Sequence, residues 1–274
     1  MKSLQNKLAF ITGGSSGIGL ETSRVLAEHG CRIVLLARRK DPLHEAQEYI
    51  KEQLSSDVVP DISFMTMDVA DNSDVREKIK ALSLQFGVPD ILINSAGIGL
   101  ADYLQNIDYH SFDQVMKVNL YGTRNTIAAV VPLMQENQSG QIVNISSMAG
   151  FIGMFGYSAY SSSKFALVGF SECIRSELKP DNIGVTLVCP PEVDTPLIKE
   201  EAKTIPPEAK AFKSMAGKLS TEHTAQSIVK GIKKNKFLVI PGSAAKFSYF
   251  LHRISSGHLT RLSMDLISSI YRRS

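Results

Sequence analysis

Short apolar segments alternate with longer amphipathic segments along most of this chain. The apolar segments are rich in Val, Ile and Leu and show little alternation of polar and apolar positions, as in strands buried on both faces. The longer segments carry apolar residues at helical spacing. Strands and helices that alternate in this order predict right-handed crossovers and a parallel sheet. We therefore expect an α/β fold with one doubly wound parallel sheet of about seven strands flanked by helices.

The predicted elements follow one another along residues 8–240. The strands are expected at Leu8–Thr12, Arg32–Leu36, Ile62–Met67, Ile91–Asn94, Gln141–Ser146, Val185–Cys189 and Phe237–Ile240. The helices are expected at Ile18–His29, Pro42–Leu54, Ser73–Phe86, Ser111–Glu136, Ala159–Leu178 and His223–Lys233. No internal repeat, low-complexity segment or linker divides this part of the chain.

A glycine-rich loop joins the first predicted strand to the first predicted helix. Glycines at this place let backbone N–H groups approach a pyrophosphate, and the helix N-terminus adds unpaired donors and a positive dipole. The alternative is a plain tight turn. The residues expected to contact a dinucleotide here are Gly13, Ser15, Ser16, Gly17, Ile18 and Gly19.

The end of the second strand indicates which dinucleotide is bound. An acidic residue at this position would hold the ribose 2′-hydroxyl of NAD, but the chain carries Arg38 followed by Arg39. An arginine can hold a 2′-phosphate through two parallel hydrogen bonds. We therefore expect NADP(H), with the Ser15 hydroxyl as a further contact. The alternative is a solvated basic turn.

Two more strand ends carry candidate cofactor contacts. Asp68 and Val69 follow the third strand, where the Asp68 carboxylate is placed to accept from the adenine amino group. Asn94, Ala96 and Gly97 follow the fourth strand, where small residues permit close backbone contact with the cofactor.

Tyr160 and Lys164 lie four residues apart at the start of a predicted helix, so they share one face. Both are expected to contact the cofactor as well as the reacting group. We expect the lysine ammonium and the cationic oxidised nicotinamide to lower the pKa of the Tyr160 phenol. Tyr160 could then donate a proton to a ketone oxygen or take it back.

Two polar residues complete the candidate catalytic set. Ser147 follows the fifth strand and could hydrogen-bond the substrate oxygen, with Ser146 as its rival. Asn119 is a polar residue in an apolar run, and it could hold a water that supplies protons to Lys164. Asn119 could instead be a helix-kink residue, and a lone Tyr-x-x-x-Lys pair is usually structural. The indication of an active site comes from the whole set of residues in this order and on these predicted elements.

Together these residues resemble the short-chain dehydrogenase/reductase family over about residues 6–240. The matching features are Thr12-Gly13-x3-Gly17-Ile18-Gly19, Asp68, Asn94-x-Ala96-Gly97, Asn119, Ser147 and Tyr160-x3-Lys164. The resemblance implies a Rossmann-like sheet, a nicotinamide cofactor and a Ser-Tyr-Lys-Asn site. It also implies a homo-oligomer, since many members are dimers or tetramers.

The chain departs from the family pattern at two places. Ser95 stands where a second asparagine is usual, and Pro190-Pro191 stands where Pro-Gly is frequent. The missing glycine leaves less backbone freedom near the nicotinamide. Pro190, Val193 and Thr195 remain expected cofactor contacts, with Thr195 at the carboxamide.

Several motifs resemble one branch, the 3-ketodihydrosphingosine reductases, which reduce the 3-keto group of a long-chain sphingoid base with NADPH. These motifs include the double proline followed by Asp194-Thr195-Pro196 and the segment Gly153–Ser161. The branch's eukaryotic members carry hydrophobic membrane-associated segments, which are not found here at the N-terminus. A reductase or dehydrogenase for another bulky carbonyl or alcohol, such as a steroid, a retinoid or a fatty acyl compound, is the alternative.

The resemblance divides the chain into a catalytic domain over residues 1–242, with a substrate lid near 196–218, and an extension over 243–274. Apolar residues in the lid and after Ser147 predict a hydrophobic pocket and a lipid-like substrate, although they could also be ordinary packing. They are Met148, Phe151, Ile152, Met154, Phe155, Ile198, Ile205, Phe212 and Met215.

Charge changes the interpretation of the extension. The chain has a net charge of +3, and residues 243–274 contain five of its basic residues and one acid, interleaved with apolar residues. Such a basic amphipathic segment could lie on an anionic membrane, cover the substrate cleft or contact another subunit. The basic residues form no stripe outside this segment, so a nucleic-acid partner is not expected.

The composition excludes disordered and fibrous classes of protein. Hydrophobic residues make up 43% and charged residues 21% of 274 residues, which is typical of an ordinary globular enzyme. The three cysteines, Cys31, Cys173 and Cys189, show no metal-ligand spacing, so we expect buried thiols in a cytoplasmic protein, with or without peripheral membrane contact. A cofactor-binding sensor without turnover is a remote alternative, because the catalytic set is intact.

Overall fold

The computed structural model describes residues 3–55, 61–216 and 218–271, without the side chains of residues 214–216 and 271. The strands are β1 (Leu8–Thr12), β2 (Arg32–Ala37), β3 (Ile62–Thr66), β4 (Ile91–Asn94), β5 (Gly140–Ile145), β6 (Ile183–Val188), β7 (Glu192–Val193), β8 (Lys218–Leu219) and β9 (Leu238–Val239). The α-helices are α1 (Gly17–Glu28), α2 (Lys40–Gln53), α3 (Asn72–Phe86), α4 (Tyr109–Met116), α5 (Gly122–Glu136), α6 (Ser158–Leu178), α7 (Pro196–Glu201), α8 (Pro207–Ala216), α9 (Thr221–Lys233), α10 (Ser243–Ile254) and α11 (His258–Tyr271).

Seven strands form one parallel sheet in the order β3-β2-β1-β4-β5-β6-β9. Apolar side chains of α1, α2 and α9 cover one face, and those of α3, α5 and α6 cover the other. Both faces of the strands are buried, which explains their continuous apolar runs. The predicted doubly wound, Rossmann-like fold is confirmed. Strand order reverses between β1 and β4, and in such folds ligands bind beyond the carboxyl ends of the strands at this point.

The predicted long helix over Ser111–Glu136 is interrupted. The chain forms α4, a π-helical turn over Lys117–Tyr121, and then α5. Apolar periodicity continues through all three parts, so the wider turn was not predicted, although Asn119 was considered as a helix-kink residue. A π turn widens the backbone locally and is frequent at functional sites, and here Asn119 lies at its centre.

The segment that follows β6 builds the lid. It contains α7 and α8, and its two ends pair as the short parallel strands β7 and β8. Strands of two residues carry no periodic signal, so this second sheet was not predicted. The predicted lid residue Gly217 and the side chain of Met215 lie outside the described residues.

Helices α10 and α11 form a hairpin that packs against the lid and the catalytic domain. Arg272 and Arg273 of the predicted basic segment lie outside the described residues. Across the described chain, no helix combines the length and the apolar character that crossing a membrane requires. The prediction of buried cysteines is confirmed for Cys31 and Cys189 but wrong for Cys173, whose position on α6 leaves it exposed.

Candidate active site

A cavity of about 550 Å³ opens at the carboxyl ends of the central strands. It brings together most of the residues that the sequence singled out, namely Gly13, Ser16, Gly17, Ile18, Ala96, Gly97, Ser147, Tyr160, Lys164, Pro190, Val193 and Thr195. The remaining predicted residues lie outside its lining, and they are Ser15, Gly19, Arg38, Arg39, Asp68, Val69, Asn94 and Asn119. One continuous space therefore joins the glycine-rich loop to the candidate catalytic side chains.

The glycine-rich loop leaves donors free at the start of α1. Ser16 is the N-cap residue, but its side chain makes no capping hydrogen bond, so the first N–H groups of the helix have no side-chain partner among the described residues. Gly13 has a φ of +65°, and a Cβ there would lie 2.7 Å from the Ala96 nitrogen. The loop thus presents backbone donors at a helix N-terminus, which is the arrangement that binds a pyrophosphate.

Arg38 and Arg39 follow β2 beside the glycine-rich loop. The Gly14 N–H donates to the Leu36 carbonyl at 3.3 Å, which holds the loop against the end of β2. Both arginine side chains are exposed, and neither has an ion pair or a side-chain hydrogen bond within the part of the chain that the structure describes. They are therefore free to bind an anion at this edge.

Asp68 and Val69 follow β3, next to the end of β2. The Asp68 Oδ1 accepts from the Ala70 N–H at 3.0 Å, while the Val69 carbonyl accepts from the buried Asn125 amide at 3.0 Å. Asp68 is partly exposed, and its other carboxylate oxygen accepts no hydrogen bond from the described residues. Its predicted contact with an adenine amino group stays a prediction.

The Asn94 side chain is part of the sheet interior. Its nitrogen donates to Asn144 Oδ1 at 2.9 Å, and its oxygen accepts from the Thr126 hydroxyl at 2.6 Å. Because the residue is only 2% exposed, any cofactor contact at this position must come from its backbone. The amide network ties β4, β5 and α5 together below the cavity.

Tyr160 and Ser147 meet at the floor of the cavity. Ser147 caps a short 3₁₀ turn, where its Oγ accepts from the Ala149 N–H at 3.1 Å, and its hydroxyl also hydrogen-bonds Tyr160. The rival Ser146 is buried and donates to the Lys164 carbonyl at 3.2 Å. Ser147 is therefore better placed than Ser146 to bind a substrate oxygen together with Tyr160.

The expected lowering of the Tyr160 pKa is wrong for the protein's own groups. Burial raises the pKa of Tyr160, the negative charge of Glu201 raises it further, and only the hydrogen bond with Ser147 opposes this. The expected partner, Lys164, donates instead to the Ile145 carbonyl at 2.9 Å, with its Nζ 5.6 Å from the centre of the Tyr160 ring. Tyr160 therefore keeps its proton at neutral pH.

Lys164 is buried at 5% exposure, and burial lowers its pKa to about 8. The low-dielectric surroundings disfavour the ammonium form. Near neutral pH the group is thus charged but close to its titration point, which suits a residue that passes a proton on.

Asn119 is completely buried, and its amide is occupied by protein groups. Its nitrogen donates to the Ile98 carbonyl and to Ser163 Oγ, both at 3.0 Å, and its Oδ1 accepts from the Ile98 N–H at 2.9 Å. These bonds fix the segment after β4 and the face of α6 that carries Tyr160 and Lys164. The alternative of a helix-kink residue is consistent with the π turn, and the water-holding role stays a prediction.

A buried charged cluster at the lid was not predicted from the sequence. Tyr157 donates to Glu201 Oε2 at 3.1 Å, and Lys213 lies 3.2 Å from the same oxygen and 3.0 Å from Glu192 Oε2. All four residues line the cavity. The lid has charged residues throughout, so its sequence did not show that these were buried.

The rest of the lining is largely apolar. Among the predicted pocket residues, Met148, Ile152, Met154, Ile198 and Phe212 line the cavity. Phe151, Phe155 and Ile205 do not, because they pack against Tyr249, Tyr103 and the small cluster beneath the lid.

The α10–α11 hairpin adds one wall of the cavity. Ala245, Ser248 and Leu251 contribute from α10, with Leu259, Thr260 and Ser263 from α11. Of the three alternatives for the extension, the structure shows that it covers the cleft.

The chain is similar to known proteins along most of its length. The family described as short chain dehydrogenase matches residues 7–206. A 3-dehydrosphinganine reductase of Danio rerio is 40% identical over 228 residues, which are 83% of this chain and 68% of the zebrafish protein. A 3-ketodihydrosphingosine reductase of Bos taurus is 36% identical over 248 residues, which are 90% of this chain and 74% of the bovine protein.

Solved structures agree on the fold. A short-chain dehydrogenase/reductase from Burkholderia phymatum, solved in complex with NAD, superposes with a TM-score of 0.81 at 22% identity, over 92% of this chain and 95% of that one. The family match covers more than half of the chain and includes the glycine-rich loop, Ser147, Tyr160 and Lys164. The chain belongs to the short-chain dehydrogenase family, and it is an oxidoreductase that acts on a carbonyl or hydroxyl carbon with a nicotinamide cofactor.

Proposed function

We propose that this enzyme uses NADPH to reduce the ketone of a long-chain, lipid-like substrate, with 3-ketodihydrosphingosine as the foremost candidate. One observation carries the proposal: Tyr160 and Ser147 lie at the floor of a cavity that apolar residues of the lid and of the α10–α11 hairpin enclose. The sphingoid reductases of Danio rerio and Bos taurus, each at least 36% identical, support the choice of substrate.

The residues present fit a nicotinamide dinucleotide. The uncapped N-terminus of α1 and the close approach at Gly13 suit a pyrophosphate, and the exposed Arg38 suits a 2′-phosphate. Thr195 Cγ2 would lie 3.1 Å from a Cβ at Gly17, so the lid begins directly against the loop. When bound, the reduced nicotinamide supplies a hydride to the substrate carbon.

The protein's own groups supply the proton and bind the oxygen. Tyr160 donates its proton to the carbonyl oxygen as negative charge develops there, and the Ser147 hydroxyl donates a hydrogen bond to the same oxygen. Lys164, four residues later on α6, then returns a proton to the phenolate. The Asn119 hydrogen bonds to Ile98 and Ser163 hold this face of α6 in place.

The direct test is to follow loss of NADPH absorbance when purified protein is given 3-ketodihydrosphingosine. We expect NADPH oxidation that depends on substrate, with the alcohol as product. If NADPH binds but is not oxidised, the sphingoid substrate is wrong. Steroid, retinoid and fatty acyl ketones, the alternative substrates, would then be assayed in the same way.

The reductive rate should depend on pH through Lys164. Its pKa is lowered to about 8, so the ammonium is present below that pH and is lost above it. The pKa of Tyr160 is raised, so the phenol stays protonated across the same range. We expect kcat for the ketone to fall by about tenfold per pH unit above pH 8, because the ammonium that returns the proton to the phenolate is lost. NADPH affinity, measured in parallel, separates this effect from any change in cofactor binding, and a flat kcat profile up to pH 9.5 would exclude this role.

We further propose that the α10–α11 hairpin rests on an anionic membrane surface. Its outer face exposes Phe247, Phe250, Ile254, Leu259, Leu262, Leu266 and Ile270 to between 54% and 65%, beside the exposed cations Lys246, Arg253 and Arg261. Because Leu259 also lines the cavity, the same hairpin connects this face to the active site. Basic amphipathic helices bind anionic lipid in this way.

Flotation with vesicles that contain phosphatidylserine tests the membrane contact. We expect the wild-type protein to float and the double variant Phe250→Glu/Leu262→Glu to stay in the lower fractions, because the substitutions place charges in the lipid-facing surface. Leu84→Glu is the matched control, since Leu84 is 81% exposed on α3, outside the hairpin. Flotation that is equal in all three proteins, or absent in the wild type, would remove the proposal.

The homo-oligomer implied by the family resemblance stays a prediction. Three exposed aromatic side chains support it, namely Tyr109 on α4, Tyr121 in the π turn and Phe165 on α6. They are exposed by 85%, 52% and 45% and would be partly covered in a subunit contact through these helices.

A further inference from the structure

The lid encloses more negative than positive charge beside the active site. Glu192 and Glu201 have side chains that are 8% and 3% exposed, and one similarly buried cation, Lys213, contacts both. The other cation at Glu192, Lys218, is 63% exposed at the rim. Buried charges are costly unless they are paired. Burial raises the pKa of Glu201 in spite of its contacts with Lys213 and Tyr157, so a further cation beside this carboxylate would stabilise its charged form.

The hydrogen bonds show which carboxylate can take that cation. Both oxygens of Glu192 are paired, Oε2 with Lys213 at 3.0 Å and Oε1 with Lys218 at 3.1 Å. Glu201 uses only Oε2, which accepts from Tyr157 and Lys213. Among the residues that the structure describes, none donates a hydrogen bond to Glu201 Oε1. This oxygen lies over Gly99, where a Cβ would stand 2.0 Å from it.

Glu201, whose Oε1 accepts no hydrogen bond from the described residues, lies close to the reacting group. Glu201 and Tyr160 line the same cavity, and Tyr157 connects them. The Tyr157 hydroxyl donates to Glu201, and its ring centre lies 6.0 Å from that of Tyr160. A ligand group bound at Glu201 would therefore be near the carbonyl that Tyr160 protonates.

We infer that the Glu201 carboxylate binds a protonated amino group on the carbon next to the reacting carbonyl, so that the site selects α-amino ketones. The inference rests on the proposed function and narrows its substrate class. An ammonium carries three donors and the missing positive charge, whereas a neutral ketone offers neither. Steroids, retinoids and fatty acyl ketones lack this group.

A bound ammonium also assists the chemistry. The negative charge of Glu201 helps to hold the pKa of Tyr160 above its usual value. A cation placed against Glu201 offsets that charge, which makes the phenol a better proton donor to the neighbouring oxygen. An α-amino ketone would thus be favoured in binding and in proton transfer.

The experiment compares two substrates that differ only in the amino group. The first is the C18 2-amino-1-hydroxy-3-ketone, and the second is the C18 1-hydroxy-3-ketone. We expect the wild-type enzyme to prefer the amino ketone by about 10- to 100-fold in kcat/KM, the range of a hydrogen bond to a charged group. Glu201→Gln should lose most of this preference, because a neutral amide neither pairs with the ammonium nor carries the charge that the ammonium offsets.

Glu200→Gln is the matched control, because Glu200 is the neighbouring residue, is 72% exposed and pairs with Lys203 at the surface. It should keep the full preference. Gly99→Ala provides an independent variant, since its Cβ would displace Glu201 Oε1, and it should reduce the preference in the same direction. If either variant fails to fold, the comparison of the two ketones in the wild type still decides whether the site selects α-amino ketones.

The outcomes separate this inference from the proposed function. Equal kcat/KM for both ketones in the wild type would overturn the inference and leave the reductase proposal standing, as would an equal loss on both ketones in Glu201→Gln. If neither ketone is reduced, the proposed function fails. Binding of the C18 2-amino-1,3-diol against the C18 1,3-diol then tests the inference, which stands only if a preference for the amine depends on Glu201.

Discussion

Replacing Tyr160 with Phe should lower kcat by about 10²- to 10⁴-fold, the usual contribution of a general acid. The substitution removes one hydroxyl from a side chain that hydrogen-bonds Ser147 and leaves the ring in place. The raised pKa keeps the proton on Tyr160, so the phenol is present as a donor at neutral pH. Among the described residues that line the cavity floor, no other side chain combines a retained proton with contact to Ser147.

The measurement is single-turnover reduction of 3-ketodihydrosphingosine, with NADPH affinity determined separately by fluorescence. We expect the affinity to change by less than about threefold, because the proposed cofactor contacts lie mainly at the glycine-rich loop and at Arg38. Tyr103→Phe is the matched control, since it removes a hydroxyl bonded to Glu208 at 3.1 Å and should retain nearly full activity. A Tyr160→Phe enzyme with a tenth of the wild-type kcat would show that another group donates the proton.

The sheet and most of the site could be predicted because each depends on local patterns. Strands β1 and β4 begin and end at the predicted residues, since each is an apolar run bounded by polar or glycine residues. Parallel strands place their carboxyl ends on one edge. Strand order then brings Gly13, Ser147 and Tyr160, which are far apart in the chain, into one cavity.

The features that the sequence did not reveal depend on contacts between distant residues. The Lys164 ammonium was expected to lower the pKa of Tyr160, but burial and the Glu201 charge raise it, and only the hydrogen bond with Ser147 acts in the opposite direction. Glu201 itself lies on a six-residue helix within a charged segment, and its burial follows from the pairing of β7 with β8 and the packing of α8. No pattern within the lid encodes that arrangement.

We expect the identity of the cofactor to depend on one exposed side chain, Arg38. Arg38→Asp should change the ratio of kcat/KM for NADPH to that for NADH by at least about 100-fold in favour of NADH. The substitution would remove the proposed bidentate donor to the 2′-phosphate and add a carboxylate that repels the phosphate and can accept from a ribose 2′-hydroxyl. Because Arg38 is exposed and has no ion pair among the described residues, stability should change by less than about 0.5 kcal/mol.

Lys40→Asp is the matched control for this change. It alters the net charge equally, two residues further on at the exposed first position of α2, so it reports the general electrostatic effect of reversing a charge at this edge. We expect it to weaken NADPH binding by less than about threefold, because exposed charges are screened by salt. If Arg38→Asp leaves the ratio unchanged, Arg39 or Ser15 is the residue that contacts the 2′-phosphate. Equal effects of both variants would show that the preference for NADPH over NADH comes from long-range charge and from no specific hydrogen bond to the 2′-phosphate.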